Sequence, residues 1–108
     1  MAQDNNEGQG EKIIVHVDME IEDLIPGFLE NRRKDIETLQ KALAKGDYET
    51  IRELGHTMKG AGGGYGFDAI TDIGQSLEQA GKDKNPEAIQ SWVKKLSNYL
   101  GRVEVVYE

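Results

Sequence analysis

Apolar residues recur every three or four positions in four separate segments of this chain, and this pattern constrains the fold more than any other feature. Such spacing places apolar side chains on one face of an α-helix, which must then be buried against other elements. The four predicted buried faces are formed by Ile25, Phe28, Leu29, Ile36, Leu39 and Leu43; by Ile51, Leu54, Met58 and Tyr65; by Ile70, Ile73, Leu77 and Ala80; and by Ile89, Trp92, Val93, Leu96, Tyr99, Leu100 and Val103. The sequence therefore predicts an all-α domain with four helices around one core.

Residues that favour helix starts separate these four segments. Asp23, Asp47, Asp68 and Asn85 stand where a side-chain oxygen can accept a hydrogen bond from the first turn of each helix. Asn85 gives the clearest signal, because a proline and a glutamate follow it and both favour the first helical turn. The connections between the segments are short, and short connections join antiparallel neighbours. We therefore expect an antiparallel, up-down four-helix bundle.

The N-terminal part of the chain does not share the helical pattern. Residues 1–12 are polar and predict a disordered tail, whereas residues 13–108 form the predicted helical domain. Between them, the stretch KIIVHV at residues 12–17 has the composition of a strand, but we identify no partner strand for it. We expect it to form a short extended arm or an extra helix that covers one end of the bundle.

Composition narrows the classes of function. The formal net charge of −7 argues against general nucleic-acid binding, which requires a basic surface, and the basic run at residues 32–34 is predicted to lie in solvent. The chain has no cysteine, which excludes thiolate metal sites and cysteine nucleophiles and fits a reducing compartment. It also has no apolar run long enough to span a membrane and no secretory signal pattern at its start, so we expect a cytoplasmic protein.

The stretch HTMKGAGGGYG at residues 56–66 contains five glycines. Such a stretch is either a loop that cradles a phosphate or a helix stripped of side chains. The GxxxxGK[ST] pattern of nucleotide-binding loops is absent, and the GxGxxA pattern at residues 64–69 follows an amphipathic helix rather than a buried strand. Each glycine inside a helix costs about 1 kcal/mol relative to alanine, so a helix here must gain something from the missing side chains. We favour the stripped helix.

Helical geometry places His56 on the outer face of this helix, opposite the buried face. Arg52 and Lys59 share that face, while Gly60 and Gly63 leave it bare beyond the histidine. A neutral imidazole is a good nucleophile near neutral pH, because the ordinary pKa of a histidine side chain is about 6.5. The arrangement predicts an open nucleophile that a partner can approach over the glycines, with two cations beside it to stabilise an anion.

These residues resemble the core motif of histidine-containing phosphotransfer (HPt) domains. The motif positions in this chain are His56, Met58, Lys59, Gly60 and Gly66. The resemblance extends over roughly residues 17–103 and includes the pair Leu77 and Glu78 in the following helix. It departs from the family pattern at residues 62–64, where many members carry serine, alanine or asparagine and this chain has three glycines.

Domains of this family are helical bundles that carry a phosphoryl group between aspartates of receiver domains or accept it from a histidine kinase. The resemblance implies that His56 is the phosphoacceptor, that Lys59 stabilises the phosphoryl group, and that Gly60 admits the receiver. The helical geometry above, and not the resemblance, adds Arg52 and Gly63 as docking residues. It also implies that this chain binds no cofactor and that the Mg²⁺ used in transfer is held by the receiver. We therefore expect a monomeric phosphorelay intermediate without independent turnover.

Two other functions remain open from the residues alone. His56 with Glu49 or Glu53 would provide part of a metal site, although no HExxH or paired-histidine spacing supplies a third ligand. Alternatively, the bundle docks to a receiver or kinase without carrying phosphate. If His56 is a nucleophile, Glu53, one turn before it, either accepts a hydrogen bond from the other ring nitrogen or simply faces water. The other histidine, His16, has no comparable context and is predicted to be structural or merely exposed.

Overall fold

The predicted four-helix bundle is confirmed by a computed structural model, which describes residues 11–108. The helices are α1 (Ile25–Lys45), α2 (Tyr48–Gly62), α3 (Asp68–Lys82) and α4 (Pro86–Arg102); short 3-10 helices span Met19–Leu24 and Gly63–Tyr65; and two strands, β1 (Ile13–Val17) and β2 (Val103–Tyr107), flank the helices. The predicted polar tail at residues 1–12 lies outside the described residues except for its last two positions. Across residues 11–108, no helix is both long enough and apolar enough to cross a bilayer.

Two of the four predicted helix starts are confirmed. The side chains of Asp47 and Asn85 each accept a hydrogen bond of 3.1 Å from a backbone N–H in the first turn of α2 and α4. The other two predictions are wrong. Asp23 lies within the 3-10 helix that precedes α1, and Asp68 is the first residue of α3 rather than its cap. Side-chain capping therefore defines the start of two helices, and the other two begin where a preceding turn ends.

The largest departure from the expected fold lies at the two ends of the described chain. β1 and β2 pair in parallel, with Ile13 opposite Val103 and Val17 opposite Tyr107. The prediction that the first stretch lacks a partner strand is therefore wrong, as is the assignment of Val103 to the fourth helix, because its backbone is extended (φ −70°, ψ 137°). Alternate residues of both strands pack toward the bundle while the others face solvent, which is the ordinary pattern of a half-buried ribbon.

The basic run at residues 32–34 is not uniformly solvated, contrary to the prediction. Arg32 is buried, and its Nε donates a hydrogen bond of 2.8 Å to Asp35. Its guanidinium also lies 4.9 Å from the centroid of the Phe28 ring, within the range of a cation–π contact. Burial raises the pKa of Asp35, although the Arg32 cation opposes this effect. A buried cation on α1 is tolerated here because it has both a carboxylate and an aromatic face as partners.

Glycines bring α2 and α3 unusually close together. Gly62 is buried, and a Cβ atom at that position would lie 2.7 Å from the backbone nitrogen of Thr71 on α3. Gly55 likewise faces Gly74, with a hypothetical Cβ on the former 2.7 Å from the carbonyl oxygen of the latter. The prediction that Gly62 points inward and permits close helix packing is confirmed. As a result, the outer faces of α2 and α3 form one continuous surface on which side chains of one helix reach those of the other.

Candidate functional site

The glycine-rich stretch is a helix, as the stripped-helix interpretation predicts. α2 continues through residues 56–62, a 3-10 turn follows at Gly63–Tyr65, and the chain turns at Gly66. Gly66 has φ of +92°, a left-handed conformation that glycine adopts without the steric penalty of a side chain. The phosphate-loop interpretation is therefore wrong.

His56 stands on the outer face of α2, with 66% of its side chain exposed. Its Nδ1 atom lies 3.1 Å from Oε2 of Glu78 on α3. Because a carboxylate accepts hydrogen bonds, this contact favours the tautomer with the proton on Nδ1. The lone pair then resides on Nε2, which is the ring nitrogen left for an incoming partner.

Glu78 contacts the side chains of His56 and Lys59 at once. While Oε2 faces His56, Oε1 lies 3.2 Å from Nζ of Lys59, and only 11% of the Glu78 side chain is exposed. The hydrogen bond from Lys59, with a smaller contribution from His56, holds the pKa of Glu78 below its ordinary value although burial opposes this shift. The carboxylate is therefore ionised at neutral pH and links the His56 imidazole to the Lys59 ammonium.

Sequence reasoning assigned the carboxylate beside His56 to the wrong helix. Glu53, the expected partner one turn earlier, lies instead with an oxygen 4.0 Å from Nη2 of Arg52. Glu78 is 22 positions away in the chain, and the sequence marks it only as part of the Leu77–Glu78 pair. Its role depends on the packing of α3 against α2, which helical spacing within α2 cannot reveal.

The side chain of Arg52, a predicted docking residue, is held by ion pairs within its own helix. Its guanidinium donates hydrogen bonds to both carboxylate oxygens of Glu49, and the Glu53 carboxylate lies nearby. The hydrogen bond to Glu49 is the main cause that raises the pKa of Arg52. A third of the Arg52 side chain is exposed, and its positive charge is paired with the carboxylates of Glu49 and Glu53. Arg52 therefore lies at the rim of the site as a paired cation and not as a free charge beside the imidazole.

The two predicted docking glycines differ from the buried ones. A Cβ atom at Gly60 would have no neighbour within 4 Å, and one at Gly63 would meet only Oγ1 of Thr71, at 3.4 Å. Packing among the described residues thus gives no reason for the missing side chain at Gly60. Its absence leaves an open surface one turn after the exposed imidazole of His56.

Two further predictions concern a metal site and His16. Within residues 11–108, no group of three or more histidine, cysteine, aspartate or glutamate side chains is arranged to hold a metal ion. His16 lies on the exposed face of β1, where its Nδ1 contacts the carboxylate of Glu108, so the prediction of an exposed histidine is confirmed.

Comparison with known proteins adds one finding. A protein-family model described as the Hpt domain matches residues 23–105. Neither a search of curated proteins nor a search of solved structures gives a match. The matched span contains all four helices and the cluster formed by His56, Lys59 and Glu78.

Proposed function

Since the chain belongs to the Hpt domain family, we propose that it is a phosphorelay intermediate in which His56 carries the phosphoryl group. Histidine phosphotransfer in two-component signalling is the general activity of this family. The observation that carries the proposal is the contact of Nδ1 of His56 with Glu78, which leaves Nε2 as an exposed nucleophile.

The proposed reaction begins when Nε2 attacks the phosphorus of an aspartyl phosphate on a receiver domain. The N–P bond forms as the P–O bond to the aspartyl carboxylate breaks, and the carboxylate leaves with the bonding electron pair. The proton on Nδ1 stays in place and is shared with Glu78, whose negative charge stabilises the positive charge that develops on the ring. Transfer to a second receiver reverses these steps.

Lys59 has the geometry for a second role in this transfer. Its Nζ already donates to Glu78, yet 39% of its side chain is exposed on the same face as His56. An ammonium group has three donors, so it can hold Glu78 and a phosphoryl oxygen on Nε2 at the same time. We assign Lys59 to stabilising the phosphorylated state and the transition states on either side of it.

The receiver is proposed to dock over the bare outer face of α2. A receiver must bring its aspartyl phosphate within bonding distance of Nε2, and the open surface at Gly60 and Gly63 permits close approach of its backbone. Arg52, already paired with Glu49, would form part of the rim. The same surface would serve a histidine kinase as an alternative donor.

Magnesium is assigned to the receiver and not to this chain. The one carboxylate beside the imidazole, Glu78, is already engaged by His56 and Lys59, and no cluster of acidic ligands in the described part of the chain fits the ion. Mg²⁺ supplies charge neutralisation for the transferred phosphoryl group.

The proposed protein is a cytoplasmic monomer that has no turnover of its own, as the sequence predicts.

The proposal is tested by incubating the protein with a labelled, phosphorylated receiver domain, using several receivers in parallel. We expect acid-labile, alkali-stable label on the wild type and none on His56→Gln. His16→Gln is the matched control, because His16 is also exposed but lies on β1 and not on α2. It should accept label like the wild type.

A docking module without phosphate transfer is the alternative function. It is supported if phosphorylated receivers bind the protein, with or without His56, and no label moves from any of them. Label that persists on His56→Gln would also contradict the proposal, because it would place the phosphoacceptor elsewhere.

A further inference from the structure

Four buried glycines line the contact between α2 and α3. Gly55 and Gly62 lie on α2 and Gly74 and Gly81 lie on α3, and we call these four residues the glycine seam. On each helix the two glycines are seven residues apart, which is close to two full turns and places both on the same face. The seam therefore spans about half of each 15-residue helix.

The seam has no space for side chains. A Cβ atom at Gly55 would lie 2.4 Å from the backbone nitrogen of Glu78, and one at Gly74 would lie 2.5 Å from the backbone nitrogen of Lys59. Carbon atoms pack at about 3.5–4.0 Å from their neighbours, so an added methyl group would require the two backbones to separate by about 1 Å. The clash cannot be relieved by a rotamer change, because the nearest atom met at Gly55 and at Gly74 belongs to the backbone.

Two of the four seam glycines touch backbone atoms of residues in the cluster formed by His56, Lys59 and Glu78. Gly55 lies against Glu78, and Gly74 lies against Lys59. The carboxylate of Glu78 contacts the imidazole of His56 at 3.1 Å and the ammonium of Lys59 at 3.2 Å. A separation of about 1 Å would move at least one of these contacts beyond hydrogen-bonding distance.

Resting on the phosphotransfer function above, we propose that Gly55 and Gly74 are positioning residues that set the helix spacing at which Glu78 orients His56 and holds Lys59. The transfer rate then depends on the separation of α2 from α3. The glycines act through Glu78 and touch neither the phosphoryl group nor the receiver. The short spacing that the site requires explains why poor helix formers stand at the seam.

The first test reads the imidazole directly and needs no phosphate. Nitrogen-15 NMR of the His56 ring as a function of pH reports which nitrogen carries the proton in the neutral form. We expect Nδ1–H in the wild type, and in Gly74→Ala a mixture of tautomers like that of Glu78→Gln. Gly101→Ala is the matched control, since Gly101 is helical and a Cβ atom there has no neighbour within 4 Å. It should retain the wild-type tautomer.

The second test is a double-mutant cycle on the rate of phosphoryl transfer. We expect Gly74→Ala and Glu78→Gln each to slow transfer on the order of tenfold, as removal of groups that orient a reactive histidine does in metal sites. If Gly74 acts through Glu78, the double variant is no slower than Glu78→Gln alone. Additive losses, or a wild-type tautomer in Gly74→Ala, would overturn the inference.

A milder variant tests the seam even if Gly74→Ala fails to fold. A Cβ atom at Gly81 would lie 2.9 Å from the backbone nitrogen of Arg52, so Gly81→Ala widens the seam less and farther from the site. We expect a smaller shift of the His56 tautomer in the same direction, and an unchanged tautomer would count against the seam. Failure of the phosphorelay proposal would appear separately, as wild-type protein that takes no label while the tautomer still responds to the seam.

Discussion

His56 on α2 and Glu78 on α3 are 22 positions apart in the chain, yet Nδ1 of one lies 3.1 Å from Oε2 of the other. The imidazole is thus oriented by a neighbouring helix and not by its own. Because Glu78 also contacts Lys59, the three side chains form one coupled unit. Substitutions within such a unit are expected to be non-additive.

Replacing Glu78 by glutamine should slow acceptance of the phosphoryl group about tenfold, because the amide keeps the shape but loses the charge that orients the ring. The measurement is single-turnover transfer from a phosphorylated receiver. Glu53→Gln is the control, since Glu53 lies beside Arg52 and not beside the imidazole. We expect it to change the rate less than twofold. A slower Glu53→Gln with a normal Glu78→Gln would reverse the assignment of the orienting carboxylate.

Loss of the Lys59 ammonium should slow acceptance of the phosphoryl group more than loss of a typical surface lysine does. We expect Lys59→Gln to slow acceptance about tenfold, since a charge-assisted hydrogen bond to the phosphoryl group is lost, and Lys59→Arg to recover part of the rate. Lys95→Gln serves for comparison because its ammonium lies over the Trp92 ring on α4. Equal effects of Lys59→Gln and Lys95→Gln would mean that general surface charge, and not the position of Lys59, determines the rate.

The free energy of unfolding should decrease in acid as Glu78 becomes protonated and its stabilising contribution is lost. Its pKa in the folded protein is lowered from the ordinary value of 4.5, chiefly by the hydrogen bond from Lys59 and then by His56. A carboxylate with a depressed pKa binds protons less readily in the folded state, so its contribution is fully present above about pH 4.5 and is lost as the pH falls below that value. We expect the free energy of unfolding from urea titrations to fall more steeply between pH 6 and pH 3 in the wild type than in Glu78→Gln. Parallel curves would show that the ion pairs of Glu78 contribute nothing to stability.

The helices could be predicted because their signals are local. A three- and four-residue apolar period, reinforced by Asp47 and Asn85 at two starts, specifies each helix from a short window of sequence. The β1–β2 ribbon could not be predicted in the same way. Its second strand has five residues that continue directly from α4, and its partner lies at the other end of the described chain. Parallel pairing across that separation leaves no turn signal in the sequence.

The same distinction applies to the candidate site. The exposure of His56, its spacing to Lys59 and the bare surface at Gly60 follow from one helical wheel, and the structure places all three as expected. The orientation of the imidazole required the packing of a second helix, so Glu78 was not identified as its partner. The Arg52–Glu49 pair, by contrast, has the three-residue spacing of a helical ion pair and was within reach of sequence reasoning.

Gly60 offers a test that separates docking from folding. A Cβ atom there has no neighbour within 4 Å, so Gly60→Ala should raise the free energy of unfolding by about 0.5–1 kcal/mol, as the replacement of a helical glycine by alanine usually does. We nevertheless expect slower transfer from receivers, because the methyl group protrudes from the surface over which the receiver approaches. Gly101→Ala, equally free of neighbours, should stabilise the protein without slowing transfer. The measurements are urea denaturation and single-turnover transfer on both variants. A Gly60→Ala protein that is more stable than the wild type and transfers at the wild-type rate would show that Gly60 is not part of the docking surface.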